Sequence, residues 1–506
     1  MQALFDDNPP SPCPSPFNLA GYVLAQAAQQ PEKTALSIVT PDHADTWTYQ
    51  RLERAVRGVA SGLAAHGLSP GDRVLLRLGN TVDFPIAFLG AIAAGFVPVP
   101  TSAQLTAPEI TKLAHEIEPA MVIAGPGVPL PTTDTPVITS AGLEAMFSLD
   151  PTDYAMGDPN RPAYMIYTSG TGGSPRGVVH AHRAVWARRL MWSGWYDLNL
   201  DDRLLHAGAF NWTYTLGTGL LDPWAAGATA LIPGEGVSAD QLPQLLEQYD
   251  ATIFAAAPGV YRQILKTPLT IEMPSLRHGL SAGEKLPEAT RQAWTNATGT
   301  NVYEALGMSE CSTFISGSPL RPATAPASGY PQPGRRIAVL DEAFDPVERG
   351  HPGQLAVSSR DAGLMLGYWK AEEETKAKFH GEWFLTGDMV QMGEDGAIAY
   401  LGRTDDMMNA GGFRVSPVEV EAALTQHPDI TEVAATEVQV KADTTVIAAF
   451  YTGAKTADEN LQSFSAERLA RYKQPRLFIH MDALPKGGNG KLNRRALRAS
   501  WEAAHD

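Results

Sequence analysis

Cysteine is nearly absent. Cys13 and Cys311 are the only two in 506 residues, and neither has a CxxC spacing or a His/Cys cluster beside it. That argues against a disulfide framework and a structural zinc site, and it fits a reducing cytosol. Long apolar runs are also missing. The longest, FPIAFLGAIAAGFVPVP (84–100), is too short to cross a bilayer and ends at prolines. It predicts a buried helix over 85–95 followed by a short strand. No block of five or more like charges occurs, although 39 Lys+Arg against 55 Asp+Glu leave a formal charge of −16. Binding to nucleic acid or insertion into a membrane is therefore disfavoured. A small anionic substrate stays open, because an acidic protein can hold a local cationic pocket. The opening residues, MQALFDDNPPSPCPSPFN, are acidic and proline-rich, without the apolar segment of a signal peptide.

What is present is an ordinary globular composition, 44% apolar, over a length that calls for two or more domains. Short β-rich runs (73–78, 120–125, 228–233, 251–257, 301–306) alternate with amphipathic helical patterns such as 48–67 and 238–249. Strand–helix alternation predicts an α/β fold with mostly parallel, helix-covered sheets. From 329 to 402 short strands and Gly/Pro turns predict a β-rich subdomain. After GRTDD (402–406) a small α+β unit follows.

One stretch asks for a chemical explanation. YMIYTSGTGGSPRGVVH (164–180) runs from a strand-like segment into Gly, Ser and Thr with one cation. Glycines let the backbone expose successive N–H groups to phosphate oxygens. Thr168, Ser169, Thr171 and Ser174 add hydroxyls, and Arg176 adds fixed charge. The spacing is neither GxxxxGK[ST] nor GxGxxG, so a P-loop kinase or a Rossmann dehydrogenase is not supported. On these residues alone the loop is either a phosphate cradle or a plain surface loop.

The stretch resembles the YTSGTTGxPKGV signature of the adenylate-forming superfamily, which holds acyl-CoA synthetases, adenylation domains and luciferase. Further segments resemble that family's motifs in the family's order. These are LSAGEKLP (280–287), ALGMSE (305–310), WFLTGDMV (383–390), GRTDDMMNAGGFRVSPVEVE (402–421), YKQP (472–475) and PKGGNGK (485–491). The resemblance implies a large N-terminal domain (1–402), a hinge (403–406) at Asp405 and a small mobile C-terminal domain (407–506). It also implies a two-step reaction. A carboxylate attacks the α-phosphate of ATP, giving acyl-AMP and pyrophosphate, and a thiol, simplest coenzyme A, then displaces AMP.

Family positions map onto this chain residue by residue. Thr168, Ser169, Gly170, Thr171, Gly172, Gly173, Arg176 and Gly177 would hold the phosphates. Ala282, Gly283, Glu284 and Leu306 would flank the adenine. Asp388 would take the ribose, Arg403 would reach the ribose or the α-phosphate, and Gly411 and Gly412 would pass the pantetheine. Glu310 would hold Mg²⁺, Ser309 would touch the α-phosphate, and Lys491 would bridge carboxylate and phosphate in the transition state. Gly172 stands where Thr is usual, Arg176 and Asn409 where Lys is usual, and Leu306 where an aromatic ring is usual. Arg176 keeps the charge and adds a bidentate fork.

The acyl pocket is expected from 206–232, with Phe210, Asn211, Trp212, Tyr214, Ser281 and Met308 near it. No Asp stands where amino-acid-activating relatives pair the substrate's amine, and an unpaired buried ammonium is costly. The large aromatics suggest a short, medium or aromatic acid, unless they pack into the core. GVYRQILK (259–266) and 412–421 look most like medium-chain and benzoate-type acyl-CoA synthetases. Two other readings stand beside the ligase: an enzyme loading a carrier protein in trans, and a catalytically silent nucleotide-binding protein. A homodimer is held open.

Overall fold

A computed structural model of the chain describes residues 1–168, 176–269, 271–410, 413–441, 444–487 and 491–505. The apolar run near residue 90 forms the helix Asp83–Ala93, buried on every side, and then the strand Val97–Pro100. A helix apolar all round belongs inside a core. The longer helix Tyr49–Ala65 is amphipathic and buries Leu52, Val56, Val59 and Leu63 on one face. Its Thr48 cap accepts the Arg51 N–H at 3.2 Å.

Six strands pair in parallel in the order Thr34–Val39, Thr229–Pro233, Arg203–His206, Ile253–Ala256, His278–Ala282 and Asn301–Met308. Their near-continuous apolar runs are what a sheet covered on both faces requires. The sheet then turns antiparallel through Ser312–Ser316 and Ala327–Pro331. From there it continues into Ile398–Arg403, Trp383–Met392, Pro352–Ser358 and Arg336–Leu340. The β-rich stretch after residue 329 is therefore an extension of the main sheet. The opening residues Leu4–Asp6 close its far edge against Arg336–Leu340.

A second, four-stranded parallel sheet holds Val97–Pro100, Arg73–Arg77, Met121–Ala124 and Val137–Thr139. A three-stranded antiparallel sheet holds Pro162–Thr168, Arg176–Ala181 and Gly367–Tyr368. After residue 403 comes a smaller α+β unit. Its strands Ile430–Lys441, Thr444–Gly453 and Leu477–His480 are packed by the helices Pro417–Leu424, Asp458–Ala466 and Arg494–His505. The fold is thus α/β, with a large N-terminal sheet domain and a smaller C-terminal one.

Candidate active site

The glycine stretch is flanked by two antiparallel strands. Thr168 ends one strand opposite Arg176, which begins the return strand. Ser169, Gly170, Thr171, Gly172 and Gly173 lie outside the described residues, as do Gly411 and Gly412. Arg176 is held by Glu374 at 2.5 and 2.7 Å, in a bidentate exposed pair. The Gly177 carbonyl accepts the Trp369 N–H at 2.7 Å.

Antiparallel pairing brings the ribose candidates together. Asp388 stands opposite Arg403 in register, and the guanidinium donates to the Asp388 carboxylate at 3.1 Å and to the Thr386 carbonyl at 3.0 Å. Gly387 makes this approach feasible: it has φ of +78°, and a Cβ there would stand 2.6 Å from Arg403 Nη2. Burial pushes the Asp388 carboxyl up, with Arg403 pulling it down and Glu310 adding a like charge. Glu310 therefore lies in the same neighbourhood. Its Oε1 accepts the Tyr368 hydroxyl at 2.7 Å, while Oε2 accepts no hydrogen bond from described residues. No group of three His, Cys, Asp or Glu among the described residues could cage a metal. One free carboxylate oxygen does suit a Mg²⁺ whose other ligands are phosphates and water. Asp405 is exposed and sits 3.6 Å from Arg403 Nε.

The adenine-side segment leaves its strand at Ala282, turns at Gly283 and is fastened behind. Lys285 Nζ donates to buried Glu304 at 3.0 Å and to Ser328 at 3.0 Å, and the Leu286 N–H also reaches Glu304. Burial pushes the Glu284 carboxyl up, while Arg262, Lys491 and Lys486 pull the other way. Lys491 and Lys486 of the small domain thus lie near this segment. Glu432 joins the two units, 3.5 Å from Arg262 and 2.8 Å from Lys486. On another side a cleft of about 1120 Å³ separates the two, lined by Gln354, Tyr400, Thr404, Val418, Tyr472 and Lys473 among others.

The acyl-side candidates divide. Tyr214 packs edge-on to His206 at 4.4 Å and stacks on Trp195 at 5.8 Å, and its hydroxyl donates to the Leu280 carbonyl. Phe210 is in the core, stacked on Phe84 at 5.1 Å. Asn211 and Trp212 are partly exposed, and Ser281 is buried with its hydroxyl unpartnered. Alternation along His278–Ala282 turns Ser281 to the face opposite Leu280 and Ala282. Leu306 and Met308 lean on the cluster of Val178, Phe314 and Met365. The Ser309 carbonyl accepts from His180 Nε2 at 2.8 Å.

The model of the AMP-binding enzyme family matches residues 23–369, and that of the AMP-binding enzyme C-terminal domain matches 419–491. The chain belongs to this family. A benzoate–CoA ligase of Thauera aromatica is 30% identical over 91% of this chain and 92% of its own length. A 4-hydroxybenzoate–CoA/benzoate–CoA ligase of Rhodopseudomonas palustris is 31% identical over 89% and 88%. The crystal structure of a benzoate CoA ligase from Burkholderia xenovorans superposes with a TM-score of 0.86, at 30% identity over 95% of this chain and 100% of that one.

Several polar residues of this AMP-binding enzyme carry no signal in the sequence. His206 is buried with both ring nitrogens unpartnered, and burial pushes its pKa down to about 3. Arg188 and Asp222 form a buried bidentate pair at 2.8 and 2.6 Å. Tyr368 reaches Glu310 from a two-residue strand.

Proposed function

We propose that the protein is an ATP-dependent carboxylic acid–CoA ligase working through acyl-AMP, with a small or aromatic acid as substrate. The enzyme class, AMP-forming acyl-CoA synthetase, follows from the family. The observation that carries the finer reading is convergence. Asp388 and Arg403 pair across two neighbouring strands, Glu310 lies near enough to add its charge to Asp388, and Lys491 lies near enough to act on Glu284 of the adenine-side segment. The first half-reaction brings one anion to a polyanion, so neutralisation and positioning supply most of the rate.

Asp388 and Arg403 would orient the ribose, Arg176 and the glycine stretch would take the departing pyrophosphate, and Lys491 would bridge carboxylate and α-phosphate. Glu310 would supply its free oxygen to Mg²⁺, whose chemistry when bound is neutralisation of phosphate charge. For the second half-reaction the unit after residue 406 would turn about Asp405, and the cleft of about 1120 Å³ leaves room for that. The residue divisions 1–402, 403–406 and 407–506 belong to this proposal, as does a cytoplasmic location. No helix among the described residues is long and apolar enough to cross a membrane.

The test is mass spectrometry of products from ATP, Mg²⁺, CoA and a panel of short, medium, branched and aromatic acids. An acyl-CoA with stoichiometric AMP is expected, and Lys491→Ala should abolish acyl-AMP while leaving ATP binding. Acyl-AMP without thioester would move the acceptor to a carrier protein. No acyl-AMP from any acid would overturn the reading.

A further inference from the structure

A small, partly open cavity of about 10 Å³ lies behind Ser309, lined by Tyr164, His180, Arg188, Thr213, Gly217 and Ser312 among others. It is about the size of one water or one hydroxyl. Three separate features of the fold are spent on its walls. Arg188 crosses directly over Gly217, where a Cβ would stand 2.3 Å from the guanidinium carbon. Gly217 lies in the π-helical turn Thr215–Leu221, a geometry that is frequent at functional sites. Ser312 is held at φ of +62°, beside the register shift between Asn301–Met308 and Ser312–Ser316. Such strain in a residue other than glycine persists where its surroundings over-determine it.

The polar inventory is specific. The His180 ring is 2% exposed, and its Nε2 gives its hydrogen to the Ser309 carbonyl. Burial pushes its pKa down to about 4, so the ring is neutral and Nδ1 is a lone-pair acceptor without a partner. Arg188 spends Nε and Nη2 on Asp222 and Tyr196, and one Nη1 hydrogen on Ser312 Oγ. A second Nη1 hydrogen and the Ser312 hydroxyl hydrogen remain to be given. The Arg188–Asp222 pair cancels its own charge.

We infer that this cavity is a subsite for a neutral hydroxyl carried by the acid substrate. A hydroxyl gives one hydrogen to His180 Nδ1 and accepts from Arg188 or Ser312, matching both halves of the inventory. A second carboxylate would face the His180 lone pair with no uncancelled cation, and an ammonium would face the guanidinium. An aliphatic or unsubstituted aromatic end would leave all three groups unsatisfied. The inference rests on the ligase reading and narrows its substrate class to hydroxylated carboxylic acids.

The test measures kcat/KM for AMP release with matched acids. Benzoate is compared with its three monohydroxy isomers, butanoate with 4-hydroxybutanoate, and succinate and 4-aminobenzoate are added. At least one hydroxylated acid should exceed its unsubstituted partner about tenfold or more. Ser312→Gly, which suits the positive φ and so protects the fold, should shrink that ratio several-fold. Ser312→Ala should do the same. Ratios near one for every pair would show that the cavity holds a fixed water, and would overturn the inference. So would preference for succinate or the amine, or a ratio unmoved by Ser312→Gly. AMP release from no acid at all would instead defeat the ligase reading itself.

Discussion

Asp222→Ala tests how the large domain tolerates a buried cation. Asp222 is 1% exposed, and it accepts Arg188 Nε at 2.8 Å, Arg188 Nη2 at 2.6 Å and the Tyr196 hydroxyl at 2.7 Å. Removing the carboxylate leaves a buried guanidinium that cannot deprotonate and has lost its counter-charge. Breaking one side of such a pair costs about 3 to 5 kcal/mol. Replacing both partners by apolar residues of similar size, Arg188→Met with Asp222→Leu, should be close to neutral by the same principle. The chain has more than one unit, so whole-chain unfolding need not be all-or-none. The useful readout is the fluorescence transition of Trp195 and Trp224, both fully buried in this domain. With an m near ~3 kcal/mol/M in urea, the single variant should lose about 1 to 1.7 M in midpoint. The double variant should recover most of it. A single-variant midpoint within ~0.3 M of the parent, or a double variant no better than the single one, would refute the reasoning.

Other outcomes follow from the same coordinates. His180, His182, His206 and His278 are held neutral by burial, with pKa values near 4, 3, 3 and 4 against 6.5 when unfolded. The unfolded chain therefore binds more protons below pH 6.5. Stability is full above that pH and is lost as pH falls toward 4, by up to about 1.4 kcal/mol per unit for each ring; melting temperatures flat from pH 7.5 to 5 would contradict this. Gly387→Ala should raise the KM for ATP by displacing Arg403, at about 1 to 2 kcal/mol of backbone strain. Gly396 also has positive φ but nothing within 4 Å of a Cβ, so Gly396→Ala should show the strain without the KM effect; equal KM changes in both would remove Arg403 from the explanation. Glu374→Gln removes the carboxylate charge facing Arg176 and should lower the KM for ATP by a small factor, read in steady-state kinetics; an unchanged KM would mean that charge does not compete with phosphate.

The parts of the fold legible in the sequence were those with local patterns. Runs such as RVLLRL and ATALIP have apolar centres because both sheet faces are covered, and they appear as the parallel strands expected. Asp388 and Arg403, each named from a motif in which glycine precedes the charge, stand opposite one another on neighbouring strands. Pairings across long separations were not legible. Arg188 and Asp222 lie 34 residues apart with no periodicity joining them. Ser312 looks like any strand serine until its φ is seen. An aromatic near a predicted pocket cannot announce its direction: Phe210 stacks into the core, whereas Tyr214, four residues on, lies between His206 and Trp195.

The strand Leu4–Asp6 has a consequence for how the molecule is made. Its partner is Arg336–Leu340, some 330 residues later in synthesis. At about 5 to 20 residues per second, the first strand waits roughly 15 to 65 s before its partner emerges. Throughout that interval Leu4 and Phe5 have no edge to join, and the neighbouring prolines and acids of the opening segment disfavour adventitious pairing. The chain's opening strand can thus be set only after some two thirds of the chain has been made, a clasp that waits for its catch.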